Sequence, residues 1–196
     1  MTIEEITGHL SKFTVGIAGA GGLGSNCAAA LARSGVGCLK IADFDLVERS
    51  NLNRQFYFSD QVGKKKVVAL KENLDRIGRG SRIDIYDLTV SSDNIVELFS
   101  SCDVIVEAFD RADMKEMLAE TVLTKLPGRP LVLGSGMAGY GSTDSIVARN
   151  LGDNLWVCGD EQSEVSDQAP PMGARVGIVA NMQANIVVEI LMKMKR

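Results

Sequence analysis

The chain is poor in the residues that most often carry chemistry by themselves. Histidine occurs once in 196 residues, at position 9, and the four cysteines stand at positions 27, 38, 102 and 158. None of the cysteines belongs to a CxxC pair, which excludes zinc-ribbon and thioredoxin-like motifs. In a cytosolic setting disulfides are not expected either, so the cysteines read as small buried hydrophobes, with Cys158 the open question. No uninterrupted apolar run reaches the about 18 residues of a membrane span, and the opening MTIEEITGHL carries two glutamates in place of a signal peptide's basic head. A cytoplasmic location without a membrane partner is therefore expected. Nor are basic residues in excess: 21 Lys and Arg against 25 Asp and Glu give a net charge of −4. That balance excludes a global field recruiting nucleic acid, so any anion site has to be made by local placement of Lys and Arg. Internal repeats and low-complexity tracts are absent too.

What is present is an ordinary apolar content of 45%, enough for one sizeable core, and the chain reads as a single domain over residues 1–196. Short apolar runs alternate with amphipathic segments. FTVGIAG, CLKIAD, DVIVEAF and PLVLGSG read as buried strands, and RIDIYDL alternates like another. Helices are expected over LGSNCAAALARSG, through Val67, Leu70, Leu74 and Ile77, in SSDNIVELF, and through MKEMLAETVLTKL. This alternation predicts an α/β, Rossmann-like, doubly wound and mostly parallel sheet. Further strands, antiparallel in part, are expected between YGSTDSIVARN and LWV. An acidic loop follows from residue 158 to 171, and a final helix that is apolar almost all round closes the chain.

GAGGLGS supplies GxGxxG as Gly19, Gly21 and Gly24, directly after a strand and opening a helix. Backbone N–H groups at such a turn approach a phosphate at the helix N-terminus. Asp43 ends the next strand, nineteen residues after Gly24, where a carboxylate can hold ribose hydroxyls. Taken alone, this pattern points to an NAD-dependent oxidoreductase. The charges that follow point elsewhere. ERSNLNRQF puts Ser50, Asn51, Arg54 and Gln55 after the ribose-binding strand, Lys66 opens the next helix, and Asp110 ends a third parallel strand. A dinucleotide's two phosphate charges need little beyond backbone amides. A triphosphate needs cations, and usually Mg held by one or two carboxylates.

GAGGLGS, DFDLVERSNLNRQ, GKKK and FDRADMK, in that order, resemble the adenylating domain of the ubiquitin-activating-enzyme superfamily, with bacterial members ThiF, MoeB and HesA. The compact length and the ending from WVCGD onward look most like the short ThiF branch, whose members adenylate the C-terminal glycine of the sulfur carrier ThiS in thiamine biosynthesis. The resemblance implies ATP and Mg as cofactors, a ThiS-like carrier with a Gly-Gly tail as partner, and a homodimer. It also implies roles: Gly22 and its neighbours at the nucleotide, Asp43 on the ribose, and Ser50 to Arg54 along the phosphates. Arg54 and Lys66 would neutralise charge, Asp110 would hold Mg, and Arg111 would line the same wall. Cys158 stands near the loop where several relatives carry a cysteine that bonds to the carrier.

Blander readings compete at each position. Arg54 could pair with Asp60 or Glu48 at the surface, the three lysines 64–66 could be a solvated cluster, and Asp110 could cap the helix after it. His9 reads as exposed and without a catalytic role, and Cys158 as a half-buried structural thiol. The two CxxC pairs that bind zinc in longer relatives are missing, so no structural zinc is expected. The arginine-bearing segment before the first strand is missing too, for residues 1–12 offer only Lys12 as a fixed positive charge. The rivals to ThiS adenylation are a different carrier of the MoaD type, the NAD-dependent oxidoreductase, and a scaffold without chemistry.

Overall fold

The structure is a computed structural model, and it describes residues 1–152 and 154–195. Helix α1 (Ile3–Leu10) opens on a capping box: Thr2 accepts from the Glu5 amide while Glu5 accepts from the Thr2 amide. Strand β1 (Thr14–Ala18) then leads to helix α2 (Gly22–Ser34), which ends on Gly35 in the left-handed conformation, φ 88°. The chain continues through β2 (Cys38–Ala42), α3 (Lys66–Asp75), β3 (Arg82–Tyr86), α4 (Ile95–Phe99), β4 (Val104–Glu107), α5 (Ala112–Lys125) and β5 (Leu131–Gly134). It closes with β6 (Val147–Gly152), β7 (Leu155–Gly159) and α6 (Gly173–Lys193).

The strands form one seven-stranded sheet in the order β3-β2-β1-β4-β5-β7-β6. Every neighbouring pair is parallel except β6 with β7, which run antiparallel. Val15, Ile17, Leu39, Ile41, Val104, Ile105 and Val106 have no exposure, because helices cover both faces of the sheet. The apolar side chains divide into two clusters accordingly. One gathers α1, α2, α3 and α6, and the other gathers α4 and α5.

The Ala-rich face of α2 packs chiefly against α6. Helix α6 spans 21 residues and is long and apolar enough to cross a bilayer by length and composition alone. In the fold, however, Val176, Val179, Ala180, Ala184, Val187 and Leu191 are buried in the core. Its apolar residues are therefore not equivalent all round. Ile178, Met182 and Ile186, one turn apart, form a half-exposed stripe beside Ala148 of β6. His9 differs from its sequence reading as well. It is half-buried, bonded through Nε2 to the Leu191 carbonyl at 3.0 Å and in tilted ring contact with Phe13, and so ties α1 to the end of α6.

The strand order reverses between β1 and β4. In such sheets the crevice at this switch, beyond the carboxyl ends of the strands, is where ligands bind. The glycine turn, Asp43 and Asp110 all leave from those ends.

Candidate active site

The turn after β1 is shaped by two close approaches. Gly19 has φ +103°, and a Cβ there would lie 2.7 Å from the Ala108 carbonyl oxygen beyond β4. A Cβ on Gly24 would fall 1.8 Å from the Gly19 carbonyl oxygen, so any side chain forces the turn apart. Gly21 caps α2, and Gly22 opens it beneath the Arg54 side chain, whose Cγ would stand 3.6 Å from a Cβ on Gly22.

Segment 50–57 is stitched onto this turn by side-chain bonds. Asn26 donates to the carbonyls of Gly22 and Arg54, the Ser25 hydroxyl accepts from the Phe56 amide, and the Tyr57 hydroxyl donates to the Ala20 carbonyl at 2.6 Å. Arg54 makes no ion pair among the described residues. Its guanidinium donates only to the Ser50 carbonyl at 3.1 Å and the Asn53 amide oxygen at 2.8 Å. The expected alternatives of Glu48 and Asp60 are not its partners, since Glu48 Oε2 accepts from the Ser50 hydroxyl. Asn51 is buried and its Oδ1 accepts from the Glu48 amide, which makes it a brace of the short 3-10 turn at Arg49–Asn51. Gln55 is also buried against the turn, and its Oε1 has no hydrogen-bond partner among the described residues.

Asp43 accepts from the Ala20 amide at 2.7 Å and from the Asp45 amide at 2.8 Å. Burial pushes its carboxyl above the ordinary range, against the pull of those two amides and Lys66. The structure separates the three lysines. Lys64 pairs with Glu72 and Lys65 with Asp87, both on the surface, whereas Lys66 is buried and donates to Asp45 at 2.7 Å. Asp45 thus supplies the anion that a cation at a helix N-terminus otherwise lacks.

Asp110 is exposed, and its carboxylate accepts no hydrogen bond among the described residues. It is not the helix cap, because that position falls on Arg111. Arg111 turns outward to pair with Asp113 and stays solvent-exposed. The wall it was expected to line is left to other groups. Cys158 lies inside β7, ahead of the acidic loop, with no exposure. Burial pushes its thiol up to about 12, so it is neither half-buried nor poised as a nucleophile in this conformation.

A glycine turn, a carboxylate on its first amide, an unpaired arginine and a buried lysine thus meet at one crevice. Comparison with known proteins gives that arrangement a lineage: the sequence profile of the ThiF family matches residues 2–196. The chain belongs to the ThiF family. It is 38% identical over 136 residues to the sulfur carrier protein ThiS adenylyltransferase of Bacillus subtilis, covering 67% of this chain and 39% of that one. It is 29% identical over 197 residues to the adenylyltransferase and sulfurtransferase MOCS3 of Dictyostelium discoideum, covering 95% of this chain and 45% of that one. The chain therefore spans about half the length, or less, of these curated relatives. Among solved structures, E. coli tRNA N6-threonylcarbamoyladenosine dehydratase TcdA in complex with AMP superposes with a TM-score of 0.86 at 20% identity, covering 96% and 90% of the two chains. Its ATP complex superposes at 0.82 and 22%, covering 96% and 89%. These likenesses establish the fold.

Within this ThiF-family fold, several working residues escaped the sequence reading. Asp45, two positions after Asp43 in DFDLVER, reads from the sequence as structural, and the fold makes it the counter-ion of Lys66. Glu107 interrupts the apolar run DVIVEAF, and Lys115 ends the FDRADMK motif eight residues later. The two pair at 2.9 Å. Arg175 interrupts the apolar final helix. It binds Asp160 at 2.6 Å and the Ser142 carbonyl at 3.1 Å. A charge inside an apolar run was the available signal in both of the last cases.

Proposed function

We propose that this chain, residues 1–196 acting as one unit, is an ATP-dependent adenylyltransferase. Its substrate would be the C-terminal glycine of a ubiquitin-like sulfur carrier of the ThiS type, in thiamine biosynthesis. The observation that carries this reading is the set of charges around the glycine turn. Among the described residues Arg54 pairs with no carboxylate, Lys66 is buried and bonded to Asp45, and the exposed Asp110 carboxylate accepts no hydrogen bond. A dinucleotide leaves such groups without employment, whereas a triphosphate uses all of them. The ThiS adenylyltransferase name of the Bacillus subtilis relative, and the ATP and AMP complexes of TcdA, support the same assignment.

The reaction needs no protein nucleophile. One oxygen of the carrier's terminal carboxylate attacks the α-phosphorus of ATP. The bond to the β-phosphate oxygen breaks, pyrophosphate leaves with the electron pair, and an acyl-adenylate forms. The glycine turn would hold phosphate oxygens with backbone amides, and Asp43 would brace that turn at Ala20. Arg54, beside Gly22, would face the charge that develops on the phosphates. Lys66 would exchange Asp45 for a phosphate oxygen, so that a cation already desolvated by the fold is released to the substrate.

The donor set fits Mg only in a particular way. No group of three or more His, Cys, Asp or Glu side chains able to hold a metal exists among the described residues, but one free carboxylate completed by phosphate oxygens and water is a normal Mg site. Asp110 would hold the ion in that manner, and the ion would add charge neutralisation on the departing pyrophosphate. A homodimer belongs to the same proposal, with the half-exposed stripe of α6 as an apolar surface compatible with it.

The test is exchange of labelled pyrophosphate into ATP by the purified chain, with Mg and a ThiS-like carrier. Exchange that depends on the carrier is expected. A folded protein giving no exchange would contradict the proposal, and light scattering of the same sample decides between monomer and dimer.

A further inference from the structure

Glu107 is the last residue of β4, and its side chain has no exposure to solvent. Taking a carboxylate out of water is costly unless its pairing is complete. Here the pairing is complete. Oε1 accepts from the Phe109 amide at 2.6 Å and from Lys115 Nζ at 2.9 Å. Oε2 accepts from Lys115 Nζ at 2.9 Å and from the Gly134 amide at 3.3 Å. Lys115 Nζ also donates to the Gly134 carbonyl at 2.9 Å. The two carboxylate oxygens lie too close together to take separate hydrogens of a tetrahedral ammonium, so Glu107 shares one N–H of Lys115 and the Gly134 carbonyl takes a second. Lys115 is 24% exposed and follows Asp110 by five residues, and both of its hydrogen-bond partners, Glu107 and the Gly134 carbonyl, belong to strand ends that frame the crevice.

What the pair does have is position. It joins the end of β4, the first turns of α5 and the end of β5, and so brackets the turn from Ala108 to Asp110 on both sides. The Gln183 amide of α6 donates to the Glu107 carbonyl at 2.9 Å, anchoring the same point from a third element. Ala108 in turn packs against the glycine turn, its carbonyl 2.7 Å from where a Cβ on Gly19 would stand. The Glu107–Lys115 pair therefore lies between the two walls of the crevice and is bonded to elements on both sides of the Ala108–Asp110 turn.

We propose that Glu107 and Lys115 are a positioning pair of the nucleotide site, fixing how far the Asp110 carboxylate stands from the turn at Gly19 to Gly22 without touching substrate. The assignment rests on the adenylation reading and adds to it a control on how that site receives metal-bound nucleotide. Lys115→Met alone strands a buried carboxylate, so the decisive variant is the double Glu107→Gln, Lys115→Met. It removes both charges and keeps an acceptor for the Phe109 amide. Three quantities are measured on the full chain: the melting temperature, the Kd for ATP with and without Mg by calorimetry, and kcat for pyrophosphate exchange.

The double variant is expected to melt within a few degrees of wild type. Its Kd for ATP without Mg should change less than twofold, its Kd with Mg should weaken at least fivefold, and kcat should fall at least tenfold. Wild-type Kd and kcat in the double variant would overturn the proposal, as would wild-type values in the folded fraction of a variant that melts far lower. Absence of exchange in the wild type would sink the adenylation reading alone, because the two calorimetric arms still decide on positioning. A wild type that binds no ATP would overturn both.

Discussion

The two halves of the sheet are held together by different means. From β1 to β4, order comes chiefly from backbone geometry: parallel strands in register, a glycine turn seated against Ala108, and segment 50–57 whose backbone is held by the Asn26 and Ser25 side chains of α2. Beyond β5, the loops over residues 136–146 and 160–172 are joined by a few backbone bonds, such as that from the Gly139 amide to the Pro170 carbonyl, and by a buried ion pair. Asp160 accepts from the amides of Gln162 and Ser163 through Oδ1 and from Arg175 through Oδ2, while Arg175 also reaches the Ser142 carbonyl. Burial alone would raise the Asp160 carboxyl, but the Ser163 and Gln162 amides and the Arg175 guanidinium hold it well below the usual carboxylate range. The first half gathers the groups suited to a triphosphate, and the second is fastened by a charge pair that shares no hydrogen bond with them among the described residues, although Gly173 and Val176 of the same helix turn pack beside Arg54 and Gly22. Chemistry and stability should therefore come apart when each half is damaged separately.

The largest loss is expected in the second half. Arg175→Met leaves Asp160 buried without its partner and should cost about 3–5 kcal/mol of stability, read by urea denaturation. Exchange per folded molecule should stay close to wild type. The acid limb gives the sign. The folded carboxyl titrates below the unfolded one, so its stabilisation is complete above about pH 4 and is lost as pH falls through the folded value. The stabilities of wild type and Asp160→Asn should accordingly converge in acid. Divergence there would place the strength of this half elsewhere.

Damage to the first half should read the other way. Arg54→Ala is expected to slow pyrophosphate exchange about 100-fold or more while moving stability by less than about 1 kcal/mol. A variant that mainly unfolds would show Arg54 to be a brace of its own loop through Ser50 and Asn53. A smaller effect sharpens the boundary between the halves. Cys158→Ala, in β7, should cost about 1 kcal/mol and leave exchange unchanged. With the thiol pushed up to about 12, iodoacetamide at pH 8 should label Cys158 far more slowly in the folded chain than in urea. Equal labelling rates would contradict the burial seen here. Smallest of all, His9→Ala removes the bond to the Leu191 carbonyl and should cost no more than about 1 kcal/mol by the same denaturation assay.

The comparison also explains what was legible in the sequence. Apolar runs and spaced glycines report backbone geometry, so the parallel strands, α2 with its Gly35 stop and the long α6 were readable from pattern alone. The family resemblance, carried by spaced motifs, was readable for the same reason. Pair interactions were not. Lys66 looked like one of three equivalent lysines until the fold buried it against Asp45 and left Lys64 and Lys65 on Glu72 and Asp87. Arg111 has Asp113 two residues away and pairs with it, while Arg54 has no acid within five residues and pairs with no carboxylate among the described residues. Sequence spacing fixes which element a side chain leaves from. Its partner is set by which distant strand end arrives beside it, as Gly134 does beside Glu107.

The central claim is that the crevice between β1 and β4 transfers AMP to a carrier's terminal glycine. The most direct measurement is the intact mass of a ThiS-like carrier after incubation with this chain, ATP and Mg. The account predicts a carrier carrying one added adenylyl group, formed by wild type, lost with Arg54→Ala, and absent when the carrier's last glycine is removed. A carrier of unchanged mass, in the presence of folded protein that binds ATP, would contradict it.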